Sequence, residues 1–252
     1  MSYRRLPNTD SARLKALQKA YEKGLELSPI DLAYSQKTFN KLRLFLSNFE
    51  KAYIDYQSAY TVQVENNKAN YLPKLNKAKI YILHFFKVLK MSIERGDLPK
   101  NSLDFFELKA NKMPVLTSED KIFFWGNKII EGESKRMSLG LKPVTNPTFG
   151  IVRVYFDNFV QEYRTQKKLK DNSAYFLNIL ASMRAEVNDI IKNIWDETEL
   201  HFGNLEKSEK EANLLSYGVI FYTKKTEKPQ KIKEQKKSDK ILIDYSLPFS
   251  FL

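Results

Sequence analysis

Apolar residues recur at three- and four-residue steps along most of the chain, which is the pattern of helices that bury one face. The clearest case is a long helix predicted from about Ser35 to Lys68. A third helix is predicted from Tyr71 to Gly96, with Pro73 in its first turn, where proline is tolerated. Upstream, the polar run Asn8–Asp10 predicts the start of a first helix, and Gly24 predicts its end.

The second half of the chain repeats this scheme. Residues 118–120 predict the start of a fourth helix. After a loop bracketed by Pro143 and Pro147, a fifth helix is predicted to run to about Leu169. Another long helix is predicted over Ser173–Phe202, and a short one over Glu206–Ser216. The run Tyr217–Tyr222 is β-prone and is a candidate to pair with the irregular, aromatic-rich segment Asp97–Thr117.

Two stretches, Thr38–Tyr53 and Thr148–Tyr163, match each other 110 positions apart. The identical pairs are Thr38/Thr148, Phe39/Phe149, Arg43/Arg153, Asn48/Asn158, Phe49/Phe159 and Tyr53/Tyr163. Shorter matches keep the same order at similar offsets, which indicates an internal duplication. Chance similarity between helices of like composition is the alternative.

These patterns predict an all-α protein, a six-helix bundle built from two tandem pseudo-repeated three-helix units with a short β-prone segment. The helical domain is predicted over residues 1–223, with units at about 6–108 and 116–219. Residues 224–252 are predicted to be a disordered tail, because its lysine-rich part has too few apolar residues to offset the entropy of ordering. The final stretch, ILIDYSLPFSFL, is apolar again and is either a docking peptide or an extension of this chain.

The amino-acid composition limits the kinds of catalytic and metal sites that the chain can form. The chain has no cysteine, which excludes disulfides, thiol nucleophiles and cysteine-ligated metals, and its two histidines are too few for a three-histidine centre. The net charge of +12 raises the expectation of a polyanionic partner, although much of it lies in residues 224–240. The N-terminal residues lack the apolar core of a signal peptide, and no apolar run is long enough to span a bilayer. A cytoplasmic protein is therefore expected.

Four segments resemble a bacterial family of all-helical proteins without an assigned activity. They are YRRLPNTDSARLKALQKAYEKG at Tyr3–Gly24, WGNKIIEGE at Trp125–Glu133, TNPT at Thr145–Thr148 and YGVIFYTKK at Tyr217–Lys225. The resemblance covers about Tyr3 to Lys225 and implies a soluble helical bundle. It implies no catalytic residue.

Few residues qualify as candidates for a site. Arg43 and Arg153, with Asn48 and Asn158, are equivalent across the repeat. They are interpreted either as snorkelling and surface residues beside the core or as paired donors for an anion or for a partner's carboxylates. A polar row of carboxylates, an asparagine and a histidine follows one helix face: Glu186, Asp189, Asn193, Glu197 and His201. It lacks the second Glu-x-x-His pair of a di-iron bundle, so a solvated face is predicted and no cofactor or metal.

Three functions remain as hypotheses. The leading one is a non-enzymatic interaction or scaffold protein that binds itself or another protein, which suits a chain with many Tyr and Phe on long helices. The alternative is a basic nucleic-acid-associated protein, although no recognition motif is present. The second alternative is binding of a small ligand between the two repeats. No phosphate-binding or nucleophile motif occurs in the sequence.

Overall fold

The computed structural model describes residues 2–109 and 112–223 of the chain. Residues 6–219 form one compact helical unit. Residues 2–5 and 220–223 form a separate two-stranded ribbon, in which β1 (Ser2–Arg4) pairs antiparallel with β2 (Phe221–Thr223). The predicted pairing of the β-prone run with residues 97–117 is therefore wrong. The predicted tail, 224–252, lies outside the described residues.

Helices dominate the described residues, which confirms the all-α fold class. Six of them are long and the seventh is short. They are α1 (Asp10–Glu26), α2 (Gln36–Asn66), α3 (Leu72–Glu94), α4 (Glu119–Ser138), α5 (Phe149–Ser182), α6 (Arg184–His201) and α7 (Lys207–Ser216). A 3-10 helix, Lys100–Phe106, forms the first part of the aromatic segment after α3.

The second and third predicted helices are one continuous helix. A π-helical turn, Asn67–Tyr71, joins α2 to α3 without a break, so the first long helix runs from Gln36 to Glu94, about 90 Å. The π turn lies just before Pro73, whose ring would clash with the carbonyl four residues earlier in a regular α-helix. The predicted break near residue 70 is therefore a change of helix type.

A second long helix is formed by α5 and α6. Met183 lies between them with helical dihedral angles, φ −84° and ψ −13°, so the two helices run on for about 80 Å. The break predicted after Leu169 does not occur. The polar residues there stay helical because they face solvent or the first long helix, as Ser173 does by donating a hydrogen bond to Gln63 Oε1.

The two long helices run antiparallel, because Thr38 contacts Glu197 at one end and Tyr81 stacks on Tyr155 at the other. The shorter helices cover the two ends. Helix α1 packs on α2, α6 and α7, whereas α4 packs on α3, α5 and the 3-10 helix. Each three-helix cluster therefore combines helices from both halves of the sequence, and packing crosses the predicted boundary between residues 108 and 116.

Between these clusters, and among the described residues, the first long helix packs only on α5. Helix α1 begins at Asp10, whose carboxylate accepts hydrogen bonds from Arg184, and α4 begins at Glu119, beside Tyr71. No backbone contact joins α1 to α5 or α4 to α2. We call this stretch, residues 56–70 and 167–183, the central segment.

Three of the four phenylalanines that match across the repeat are buried. Phe49 and Phe159 are fully buried and Phe39 is buried, but Phe149 is only half-buried because it lies in the first turn of α5. Burial follows the same order along residues 41–50 and 151–160. The helix starts differ, since Ser35 caps α2 and Thr148 caps α5, three positions out of the repeat register. The duplication stays a prediction.

Gly24 does not end α1, which continues to Glu26. A side chain at this position would collide with the ring of Phe39, so the glycine allows α1 and α2 to approach closely. Gly126 has the same role between α4 and Phe156. The helix-stop interpretation of Gly24 is wrong because the residue serves packing between helices.

Candidate functional site

A concave surface with a mainly apolar lining lies between α4 and the segment that precedes it. It is an open groove of about 450 Å³, which we call the Trp125 groove. Its apolar lining consists of Leu108, Met113, Val115, Phe124 and Trp125. Its polar lining consists of Glu107, Lys109, Lys112 and Lys121.

One wall of the groove comes from α4. Ser118 begins this helix by accepting a hydrogen bond from the backbone of Lys121 at 3.4 Å. Lys121, Phe124 and Trp125 then recur at steps of three and four, which places them on one helix face. Trp125 is half-buried because its ring packs edge-on against Phe86 at 5.4 Å. Phe124 remains 48% exposed.

The opposite wall is an extended segment, residues 113–117. Met113 and Val115 line the groove, whereas Pro114 is buried and Leu116 packs on the core. This alternation is the two-residue period of an extended chain. Residues 113–117 make no backbone–backbone hydrogen bond to any residue that the structure describes. Within the described part of the chain, the groove is therefore bordered by a strand-like edge that has no backbone partner.

Charge around the groove is predominantly positive. Lys109, Lys112 and Lys121 form no ion pair within the described part of the chain, and the ammonium of Lys121 donates to the Thr117 hydroxyl at 3.1 Å. Lys128, beside the groove, bonds Glu107 at 2.7 Å, and this hydrogen bond raises its pKa. Glu107 is thus neutralised, and the three lysines remain available to an external anion.

A second polar feature lies inside the central segment. Asn66 donates to the Gln166 side chain at 2.9 Å, Gln166 donates to the Gln63 carbonyl at 3.3 Å, and Ser173 bonds the Gln63 side chain. Gln166 and Ser173 are both buried. A satisfied polar layer between two helices specifies their register, so this network explains how the two long helices align.

A small cavity borders that network near Tyr71, Glu119, Tyr163 and Gln166. Its volume is about 130 Å³, below the range of about 300–1,000 Å³ that is usual for ligand pockets. Burial, reinforced by the hydrogen bond to Glu119, raises the pKa of the Tyr71 phenol, which therefore acts as a donor to that carboxylate. The contact ties the start of α4 to the π turn.

The four residues predicted as binding donors are all exposed. Asn48 donates to the Leu44 carbonyl of its own helix at 3.4 Å, and Arg153 lies 3.5 Å from Asp157. Arg43 lies near the start of the first long helix. Arg153 lies near the start of the antiparallel second one, so the two arginines are separated by roughly 60 Å. The structure does not bring the two pairs together, and their binding role stays a prediction.

One residue of the polar row on α6, Glu197, makes specific hydrogen bonds to another helix. The Glu197 carboxylate accepts hydrogen bonds from the Ser35 backbone at 2.5 Å and from the Thr38 hydroxyl at 2.6 Å. A carboxylate at this position satisfies free N–H groups at the start of α2 and complements the helix dipole. Among the described residues, no cluster of potential ligands has the arrangement of a metal site.

An unexpected ion pair lies at the end of α4. Glu133 and Arg136 are both fully buried and bonded to each other, and Arg136 also donates to the Lys142 carbonyl at 2.7 Å. Burial raises the pKa of Glu133, although the neighbouring guanidinium opposes this effect. The pair links α4 to the loop that leads into α5.

A run of three aromatic residues is one feature of the sequence that indicates an exposed aromatic side chain at the Trp125 groove. Phe123, Phe124 and Trp125 are consecutive, and a helix cannot direct three successive side chains to one buried face. Phe123 packs on Phe159 at 5.2 Å, which leaves Phe124 directed outward. The aromatic segment 97–117 was a second signal, but its exact path was needed to reveal a groove.

Comparison with protein-family models, with curated proteins and with solved structures gives no match. The resemblance to an all-helical bacterial family stays a prediction from the residues that carry it. No helix within the described residues has the length and apolar character needed to cross a membrane.

Proposed function

We propose that this protein is a non-enzymatic helical interaction protein that binds a protein partner in the Trp125 groove. The observation that carries the proposal is the exposure of Phe124 and Val115, 48% and 57%, on opposite walls of one concave surface. Aromatic residues and methionine are enriched at protein interfaces, and Phe124, Trp125 and Met113 meet there.

The surrounding fold supports this role. Both long helices are continuous over tens of ångströms, and α4 is anchored on them by Phe123 and Trp125. A groove on a rigid element needs little reorganisation when a partner binds, which favours affinity. The partner would be held by apolar contacts in the groove and by the lysines at its edge.

Photo-crosslinking in the native cells tests the proposal. A photoreactive phenylalanine analogue replaces Phe124, and the matched control places it at Leu44, a 70% exposed residue of α2 near the opposite end of the first long helix. We expect a discrete cross-linked protein with the Phe124 probe and none with the Leu44 probe. Equal products at both positions, or none at Phe124, would reject the proposal.

A second candidate is binding of nucleic acid, which the distribution of charge favours. Residues 56–183 carry 20 Lys and Arg against 12 Asp and Glu, whereas residues 6–55 and 184–219 carry 12 against 14. Lys167, Lys168 and Lys170 form an exposed basic group on α5. A polyanion bound there would dissociate steeply with added salt, because phosphate contacts release counterions.

Fluorescence anisotropy with labelled duplex and single-stranded DNA tests this second candidate. We expect an affinity that falls with salt and that is weakened when Lys167, Lys168 and Lys170 are replaced together by glutamine. Replacement of Lys15, Lys19 and Lys37 at the other end is the control. An affinity that does not depend on salt, or that responds equally to both sets, argues against nucleic-acid binding.

A further inference from the structure

We infer that the Trp125 groove takes an extended acidic segment of a partner protein, with apolar side chains at alternate positions. This inference rests on the proposed function and names the chemistry of the partner. It is carried by the backbone of one wall, by the unpaired lysines and by the shape of the apolar lining.

The extended form follows from residues 113–117. The backbone N–H and C=O groups of Val115, Leu116 and Thr117 have no backbone partner among the described residues. A second extended chain placed alongside would satisfy the groups of alternate residues in the manner of an added strand, because successive N–H groups point to opposite edges. A helical ligand would leave these groups unpaired, because its own backbone bonds are satisfied internally.

The acidic character follows from Lys109, Lys112 and Lys121. None of the three is ion-paired within the described part of the chain, whereas Glu107 is held by Lys128. Carboxylates of a bound segment would complement the three ammonium groups, which favours association and rejects basic segments by repulsion. An aspartate or glutamate on the solvent-facing side of the segment suits this arrangement.

The alternate apolar positions follow from the lining. In an extended segment, side chains on one face are separated by about 7 Å, twice the rise per residue. Met113 and Val115 have this spacing on one wall, and Phe124 and Trp125 face them from α4. Apolar side chains at alternate positions would enter between the two walls while the intervening acidic ones stay at the lysines.

A segment of protein fits this surface better than a small molecule. Pockets for small ligands cover about 70–90% of the ligand, which requires enclosing walls. Here Phe124 and Val115 are about half exposed, so the groove is open along its length. A continuous chain that covers the open groove removes this apolar surface from water.

Selection from a phage-displayed library of random dodecapeptides tests the inference on the full chain. Peptides selected on the wild-type protein and depleted on a Phe124→Ser variant are synthesised, and their affinity is measured by fluorescence anisotropy. We expect sequences in which aspartate or glutamate alternates with large apolar residues. Phe124→Ser is expected to weaken the best peptide by about 30-fold, as for a central anchor.

Lys112→Glu is expected to weaken binding and to flatten its dependence on salt, because it removes a charge contact. Leu44→Ser and Lys15→Glu are the matched controls for exposed apolar and basic residues, and they should leave binding unchanged. Hydrogen exchange of the wild-type protein gives a readout independent of the variants. Peptide binding should protect alternate amides within residues 115–117, because an added strand pairs with every second residue.

Each outcome decides the inference. Failure to select any peptide that depends on Phe124 would overturn it, as would selected peptides that are basic, or that leave the amides of residues 115–117 unprotected. If photo-crosslinking at Phe124 finds a partner whose cross-linked segment is helical or basic, the proposed function stands and the inference falls. If no partner cross-links at Phe124, the proposed function itself fails.

Discussion

At the scale of single residues, the largest energetic effects are expected where burial leaves no alternative contact. Phe49 and Phe159 are each fully buried, one in each long helix. Their rings contact neighbouring aromatics, Phe45 at 6.5 Å and Phe123 at 5.2 Å. Water can reach these two rings only if the helices packed around them separate.

We therefore predict that Phe49→Ala and Phe159→Ala each lower the free energy of unfolding by about 3–5 kcal/mol. The loss combines the transfer of the ring to water with the cavity that remains. Urea denaturation measures it, with the exposed Leu44→Ala as control, expected within about 0.5 kcal/mol of wild type. A loss as small as the control's would remove the substituted phenylalanine from the core.

The buried ion pair between Glu133 and Arg136 affects stability through a different balance of free energies. Two charges taken out of water regain this cost mainly through each other and through the hydrogen bond from Arg136 to the Lys142 carbonyl. Glu133 Oε2 and Arg136 Nε lack hydrogen-bond partners within the described structure. The pair is therefore sensitive to the loss of one member. The net contribution of the intact pair to the free energy of unfolding is smaller than the loss expected when one member is removed.

We predict that Arg136→Met alone lowers the free energy of unfolding by about 3–5 kcal/mol, because Glu133 is left buried without its partner. The double variant Glu133→Leu with Arg136→Met should be more stable than this single variant. Urea denaturation of both variants gives the comparison. A double variant that is less stable than the single one would show that the ions stabilise the fold beyond their mutual compensation.

At the scale of the elements, the π turn is the feature that most affects the first long helix. It accommodates one extra residue in an otherwise α-helical rod while Tyr71 stays buried and bonded to Glu119. On both sides of it, the apolar faces are directed toward the second long helix. Removal of a residue should therefore have opposite consequences inside and outside the turn.

We predict that deletion of Ala69, in the π turn, keeps the two apolar faces aligned, because the turn converts to regular α-helix, although Pro73 then costs about 3 kcal/mol within that helix. Deletion of the equally exposed Ser58, within α2, rotates the two apolar faces by about 100° relative to each other and should lower the melting temperature strongly. Circular dichroism during heating compares the two. Equal destabilisation by both deletions would mean that the π turn does not absorb a residue.

At the scale of the whole molecule, the helical unit and the tail are expected to be separable. The described chain ends in β2 at Thr223, and the helical unit already closes at Val219. Residues 224–240 carry the lysine-rich sequence from which a tail is predicted.

We predict that a chain stopped after Thr223 melts at the same temperature as the full chain. Differential scanning calorimetry measures the melting temperatures of both proteins. A chain of residues 1–219, which lacks β2, is measured for comparison. A melting temperature lowered by several degrees on removal of 224–252 would mean that the apolar end of the chain docks on the folded part.

The sequence by itself determined the elements and their buried faces. Leu42, Phe49, Val152 and Phe159 are buried as their spacing predicts, because apolar periodicity records which helix face meets a partner. Polar caps also act locally, so Thr9 and Ser118 marked true helix starts. These features depend on residues only a few positions apart.

Tertiary structure decided how the elements combine. Whether Pro73 breaks a helix or follows a π turn, and whether Gly24 ends a helix or admits Phe39, depends on partners distant in the chain. The groove has the same origin, because Val115 and Phe124 meet across it only after α4 and residues 113–117 have packed on the core. Local propensity does not determine these long-range contacts, since they form when many side chains are buried together.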